Sequence, residues 1–338
     1  MKGKTEDMTT RTFGAVSTLA FLLLASCGPS PAKPASATAK FVEGASAGYH
    51  STGKATLFGD SLIVPVEGSV VSLSLPGLEP EWKYDAPTDK GWQCVYAGSA
   101  GGNIVCVFQS MAGDLTVHLD GRGRETWKNQ NEKMGSLPRT YSEKIYRVEG
   151  ESVFIGEKKF AVPLSLPIIE ANGGSIYTVT VEGEVQARNE SGDLLWGAKL
   201  ISRTNSLKAF SWGVVALCEN ETIALDQATG SVLWSRSIRA TCQPVELGGK
   251  LVIAYDKGLM ALDRKGDIVY AVDLECQPIF VSAATDGIEV ICSGKLIAMD
   301  LKLTKISEFV APNGANQVEF FPGGMVVSGY SQKVFVAD

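Results

Sequence analysis

The strongest constraint on this chain is a short unit that recurs along nearly all of it. The clearest copy runs from Ala224 through Asp226, Thr229 and Gly230 to Trp234. Ala261, Asp263, Gly266 and Tyr270 repeat it, as do Ala187, Asn189, Gly192 and Trp196, and again His118, Asp120, Gly123 and Trp127. In each copy the aromatic residue stands four positions after the glycine. Ser72 to Trp82 is a fifth copy with a prolyl turn inside it, and Ala298 to Phe309 reads as a sixth with one residue inserted. Val153 to Val162 reads as a degraded copy, and Val336 to Asp338 as the start of a last one. The anchors fall at 82, 127, 162, 196, 234, 270 and 309, a spacing of 34 to 45 residues.

The chemistry of the unit explains its recurrence. Runs rich in apolar and β-branched residues precede each motif, such as Leu251 to Tyr255 and Ile176 to Val181. These are strands bounded by turn residues. The Asp or Asn caps a turn with its side chain, the glycine supplies a positive φ, and the next strand carries a large aromatic that can wedge between neighbouring sheets. Four short strands in roughly 36 residues predict an all-β β-propeller. A helical solenoid of the same period would need helical periodicity, which is absent. Eight blades account for the copies best, with seven left open if the region around Val153 is only an insertion. The last unit lacks its outermost strand. Residues Lys40 to Ser46 can supply it, closing the ring by pairing the chain ends and leaving no open edge. The expected organisation is a signal segment over 1–26, a tether over 27–40 and one propeller over 41–338.

The motif from Ala224 to Trp234 resembles the A-x-D-x-x-T-G-x-x-x-W docking unit of the quinoprotein (PQQ-like) propellers, closely there and partially in the other copies. The repeat is one of several used by propellers in the broad WD40-like group, but the Gly-His and Trp-Asp dipeptides of true WD40 units are missing, and Kelch spacing fits worse. Trp82, Trp127, Trp196, Asp226, Gly230, Trp234, Asp263, Gly266 and Tyr270 are therefore expected to be structural docking residues.

The beginning of the chain carries Lys2, Lys4 and Arg11, then an apolar run from Phe13 to Ala25. That is a charged segment before a short hydrophobic one, as in an export signal, and it is shorter than the roughly 20 residues a membrane span needs. Glu6 and Asp7 are unusual there and leave Met8 open as the start. Leu24, Ala25, Ser26 and Cys27 resemble the bacterial lipobox, which makes Cys27 the expected lipidation site. The Pro-, Ala- and Ser-rich stretch from Gly28 to Lys40 reads as an extended tether. Gly28 rather than Asp after Cys27 is the pattern of sorting to the outer membrane, with the protein facing the periplasm.

Cys27 aside, six cysteines remain in a chain expected to be exported. Cys94 with Cys106 and Cys276 with Cys292 flank turns symmetrically, as cross-strand pairs would. Cys218 and Cys242 lie in neighbouring units and could staple two blades. The alternative is that all six are reduced and packed as small apolar residues.

Composition narrows the function. A net charge of −6 without a basic block argues against nucleic acid. Two histidines, His50 and His118, in no metal-ligand spacing argue against zinc. No phosphate loop, nucleophile elbow or metal cluster is present. The quinoprotein resemblance implies an alternative, a PQQ- and Ca²⁺-dependent or other small-molecule enzyme. The chain lacks the adjacent cysteine pair of many such enzymes and is far shorter than they are. No catalytic residue, metal or cofactor is therefore assigned. By repeat, length and anchor the chain also resembles the propeller lipoprotein of the outer-membrane β-barrel assembly machinery. That resemblance implies a monomeric, membrane-tethered scaffold for envelope proteins, the barrel-inserting component among them. A binding lipoprotein of another envelope pathway is a further reading. Two stretches exceed what the repeat requires and are the expected partner surfaces: Asn129 to Arg139, and Glu308 to Gln317.

Overall fold

A computed structural model describes residues 41–131, 139–141, 144–149, 151–156, 158–284 and 286–337. The signal segment, Cys27 and the tether lie outside the described residues, as does most of the stretch between Asn129 and Arg139. The strands form eight four-stranded antiparallel sheets. Seven of these are runs of four consecutive strands, within 56–85, 93–131, 139–161, 165–199, 204–236, 245–273 and 280–310, here blades 1 to 7. Blade 8 joins the last three strands of the chain, between Gln317 and Ala337, to the first, Phe41–Ala47. Phe41 pairs with Ala337 and Ala47 with Gln332, across a bulge between Glu43 and Ser46. The degraded unit around Val153 is a full blade, so the ring has eight blades and is closed by its two ends as the repeat predicts.

First strands contact the first strands of neighbouring blades, blade 8 to blade 1 included, and so line the inside of the ring. Middle strands are sandwiched between blades on both faces. Gly213–Cys218 and Gly287–Cys292 are buried along their whole length, and their near-continuous apolar sequence reflects that. Outermost strands such as Pro80–Asp85 and Ile268–Asp273 alternate exposed residues with half-buried ones. Closure is reinforced by two glutamines of blade 8. Gln317 accepts from the Ala55 amide at 2.9 Å and donates to the Ala55 carbonyl at 2.5 Å. Gln332 accepts from the Tyr49 amide at 3.2 Å and donates to its carbonyl at 2.7 Å. Each side-chain amide thus takes the place of a missing strand partner.

The repeated motif forms the turn between third and fourth strands. Asp120, Asn189, Asp263 and Asp300 each accept, through Oδ1, amides two and four residues ahead at 2.8–3.0 Å. Asp226 does the same for Ala228 and Thr229 and takes the Thr229 hydroxyl at 2.8 Å. The glycine sits where the aromatic of the preceding blade lands. A Cβ at Gly123 would lie 2.5 Å from the Trp82 ring, at Gly230 2.5 Å from Trp196, at Gly266 2.6 Å from Trp234, and at Gly192 2.8 Å from Phe160. All four glycines have positive φ. Trp196 also donates its indole N–H to the Gln227 carbonyl at 2.8 Å, and Trp82 to Gly121 at 3.1 Å.

Two anchors expected from spacing move. In blade 3 the register opposes Val153 to Phe160, so Phe160 and not Val162 is the docking residue, because the blade turns at once after Ile155. In blade 7, Ala298 faces Ser307, the place a Trp or Tyr holds elsewhere, and Phe309 stands two residues further on, opposite Leu296. No residue is inserted there. Leu303 takes the glycine's place at φ 62°, its amide donating to Asp300, and it is buried in the cluster that Tyr270 packs against.

Of the three expected cysteine pairs the structure forms one. The disulfide Cys276–Cys292 ties the segment entering blade 7 to the end of its second strand. Cys94 and Cys106 are thiols. The hairpin turns at Gly101 and Gly102, past the midpoint between them, so Cys106 stands opposite Ala97 and Cys94, beyond a bulge, opposite Phe108. Cys218 and Cys242 are thiols as well. They pack into different inter-blade clusters, Cys218 between blades 4 and 5 and Cys242 between blades 6 and 7.

The stacking sets an expectation for glycine replacement. Gly230→Ala meets both the left-handed backbone cost and the Trp196 ring, and should lower stability by about 2–4 kcal/mol. Gly59→Ala, at φ 60° with open space around it, should cost only about 1 kcal/mol. Urea unfolding of the two variants compares them directly, and equal losses would contradict the stacking account.

Candidate functional site

The alternation of strand directions gives the ring two faces. One carries the segments linking successive blades and the turns between second and third strands. The other carries the turns between first and second strands and the repeated Asp–Gly turns. The loops of a propeller gather on these two faces, where binding residues on such a framework stand.

On the linker face, blade 4 presents Leu164 and Val181 side by side, joined by a Val181 amide to Leu164 carbonyl hydrogen bond of 3.0 Å. About half of each side chain is exposed. Ile201, in the following link, is fully exposed. The preceding residue, Leu200, is held to the same turn through Gly183. Three large apolar side chains in open solvent on neighbouring loops are unlike the isolated exposed apolar residues of an ordinary surface. Two hollows open on this face as well. One, about 580 Å³, lies over blades 5 and 6 beside Arg239, Tyr255 and Asp256. The other, about 590 Å³, lies where blades 8, 1 and 2 meet, beside Tyr49, His50 and Trp92.

The turn face is different. Among the described residues the apolar core divides into seven clusters, one at each contact between successive blades except that between blades 2 and 3. The cause is in blade 2. Leu115, Val117 and Leu119 point to blade 1 and join its cluster. The alternate residues Asp114, Thr116 and His118 point the other way, in register with Asn131, Asn129 and Trp127 of the outer strand. Blade 3 answers with Arg147, which pairs with Asp114, both being buried. Blade 3 also lacks the Asp–Gly turn, so no glycine receives Trp127. That ring leans on His118, centroids 4.7 Å apart, and stays 40% exposed, against 7% for Trp196 and 6% for Trp234. The result is a cleft of about 560 Å³ between the two blades, walled by Trp127 and Phe154. Lys144 at its mouth pairs with Glu190 of blade 4, and Glu190 also accepts the Tyr146 hydroxyl at 2.9 Å. These two partners hold the Glu190 carboxyl below the usual range.

Of the docking residues expected from sequence, Trp82, Trp196, Asp226, Gly230, Trp234, Asp263 and Gly266 take part in inter-blade turns and stacks, and Tyr270 packs with Leu303. Trp127 does not dock. Of the two stretches expected as partner surfaces, Glu308 to Gln317 folds back onto blade 8: Ala311 and Ala315 are buried, and Gly314 lies under the Tyr330 ring. The other contributes Asn129 and Asn131 to the cleft. Sequence reasoning missed the cleft, although the polar alternation of Asp114, Thr116 and His118 in an otherwise apolar strand position was its signal. Among the described residues no group of three or more His, Cys, Asp or Glu is placed to hold a metal ion, and no helix is long and apolar enough to cross a membrane.

The comparisons with known proteins agree with this geometry. The family described as outer membrane protein assembly factor BamB matches residues 181–317, from the middle of blade 4 to the start of blade 8. BamB from Moraxella catarrhalis superposes with a TM-score of 0.68 over 88% of this chain and 100% of its own, at 12% identity. The chain has the β-propeller fold of that protein, and its blades 4 to 8 are similar in sequence to the BamB family. Two other propellers match its fold: the computationally designed Ika8 protein, with a TM-score of 0.68 at 9% identity over 86% of this chain and 99% of its own, and Saccharomyces cerevisiae Sqt1, with 0.64 at 12% over 89% and 99%. These likenesses establish the fold alone. A sequence comparison with curated proteins finds no match.

One buried group lies off both faces. Glu289, in the middle of blade 7 between Ser282 and Ala298, is fully buried. Neither of its oxygens has a hydrogen-bond partner. Burial pushes its carboxyl up to about 8. A carboxyl whose folded value lies above its unfolded one stabilises the fold when protonated. That contribution is complete below the ordinary carboxylate range and is lost as pH rises through about 8. Glu289→Gln should therefore change stability little in mild acid and raise it by a few kcal/mol in mild alkali. Denaturant unfolding of both proteins across that range checks this. Parallel pH curves would show that Glu289 is not protonated in the fold.

Proposed function

We propose that the protein is a non-enzymatic interaction scaffold, held at the outer membrane by a lipid on Cys27 and facing the periplasm. There it assists the assembly of outer-membrane β-barrel proteins. The observation that carries this reading is the match of residues 181–317 to the family described as outer membrane protein assembly factor BamB. The lipobox-like sequence ending at Cys27 supports the anchor. The exposed apolar group Leu164, Val181 and Ile201 begins beside the matched segment and supplies a surface a protein partner can cover. Burying three such side chains contributes roughly 1.5–3 kcal/mol each at full burial, enough to matter in a transient contact.

The test is cross-linking in native envelopes through a C-terminal tag, followed by mass spectrometry. Capture of the barrel-inserting outer-membrane protein is expected, and its loss in an Ile201→Glu, Val181→Glu double variant that retains the wild-type unfolding temperature. Cys27→Ala should release the protein from membranes. Recovery of unrelated transport or redox proteins would overturn the barrel-assembly role, and continued tight membrane association of Cys27→Ala would overturn the anchor.

A further inference from the structure

Among the described residues the join between blades 2 and 3 alone forms no apolar cluster; Val105 and Val107 are buried on its blade 2 side, but toward the turn face it opens to solvent. We propose that the cleft between blades 2 and 3 is a saccharide-binding site, with Trp127 as the platform on which a pyranose ring stacks. This site is on the opposite face from the apolar group at Ile201 and does not depend on the scaffold reading.

The cleft lacks the capping turn found at other joins. In four other places an aromatic of one blade is capped by a glycine turn of the next. Trp127 occupies the same register position, opposite His118, but blade 3 passes from Ile155 to Lys158 without that turn. A large flat apolar surface is thus held rigidly at the wall of a ligand-sized cavity, within the roughly 300–1,000 Å³ range of small-molecule sites. The volume, about 560 Å³, has room for more than one sugar ring.

The other lining groups decide the ligand class. Thr116, Asn129 and Asn131 stand on the same blade face as Trp127. They offer one hydroxyl and two amides, each able to donate and accept. A purely apolar occupant would desolvate these groups without replacing their water hydrogen bonds, at about 1–3 kcal/mol for each. A phosphate-bearing occupant would need concentrated positive charge. Of the three cations that line the cleft, Arg147 is committed to Asp114 and Lys144 to Glu190, and the charge of Lys158 also acts on the Glu190 carboxylate. What remains is a neutral ligand with an apolar flat face and a rim of hydroxyl or acetamido groups. A pyranose has both, since its axial C–H bonds form a face that packs on an indole while its equatorial substituents reach sideways to amides.

The experiment uses the full chain labelled with 5-fluorotryptophan, in which the Trp127 fluorine resonance is assigned by its loss in Trp127→Phe. The probes are triacetylchitotriose, maltotriose and cellotriose, with adenosine monophosphate and a tryptophan-containing tripeptide for comparison. The proposal expects at least one trisaccharide to shift the Trp127 resonance saturably at millimolar concentration or below. Trp127→Ala should weaken binding about tenfold, the loss that ~1.4 kcal/mol of stacking supplies, and Asn129→Ala should weaken it to a smaller degree. Trp127→Ala should lower the unfolding temperature less than Trp196→Ala does, because Trp127 is 40% exposed and Trp196 only 7%, and Asn129→Ala, at an exposed position, should leave it unchanged. The proposal is overturned if no trisaccharide moves the resonance, if sugar binding survives Trp127→Ala unchanged, or if only the nucleotide or the peptide binds. It is also overturned if a soluble quencher cannot reach Trp127 in the free protein.

Discussion

Half of the joins in this ring depend on an aromatic ring of one blade lying against a glycine of the next. Propeller blades are twisted sheets, and two twisted sheets meet well at the centre but splay apart toward the rim. Trp82, Phe160, Trp196 and Trp234 fill that widening gap, and the receiving turns allow it only because Gly123, Gly192, Gly230 and Gly266 carry no Cβ. The same glycines must adopt a positive φ to close the Asp turn. One residue type therefore answers a local and a tertiary requirement at once, and the pair recurs at a fixed distance in sequence. Where the glycine is missing, buried leucines at positive φ, Leu303 and Leu78, close the turn and join the inter-blade clusters instead.

Ring closure solves a different problem. A row of blades ends in two exposed sheet faces and an incomplete blade. Pairing Phe41–Ala47 with Gln332–Ala337 completes the blade, and the clamps of Gln317 on Ala55 and Gln332 on Tyr49 bring blade 8 against blade 1. Those two glutamines are buried polar residues whose amides find donor and acceptor together, so their burial costs little. The contact between blades 2 and 3 takes the opposite course. Its buried Arg147–Asp114 pair secures geometry more than stability, because desolvation offsets much of the attraction.

How far the sequence disclosed this follows from the same physics. The D-x-x-G turn and the aromatic after it form a local pattern at fixed spacing, so the blades could be counted and the closing strand placed within one residue. Phe160 escaped because the turn before it is shorter than in the other copies, and Ser307 because the spacing is kept while Leu303 replaces the glycine and the aromatic lies two residues further on. Cys94 and Cys106 misled because the hairpin turns at Gly101 and Gly102, past the midpoint between them, and of several glycines around that midpoint the sequence does not say which pair makes the turn. The cleft beside Trp127 escaped for a further reason. Its Trp fits the repeat perfectly, and what breaks the docking is a turn missing from the next blade some thirty residues away.

Among the described residues an apolar cluster spans every join between successive blades except that between blades 2 and 3. Native-state hydrogen exchange read by mass spectrometry tests it most directly, since protection reports the free energy of local opening. The account predicts that Lys144–Glu149 of blade 3 exchanges well before the equivalent second strands Gly213–Cys218 and Gly287–Cys292. The closing strand Phe41–Ala47 should stay protected together with its partner Gln332–Ala337. Uniform protection around the ring, or first opening at the paired chain ends, would contradict it.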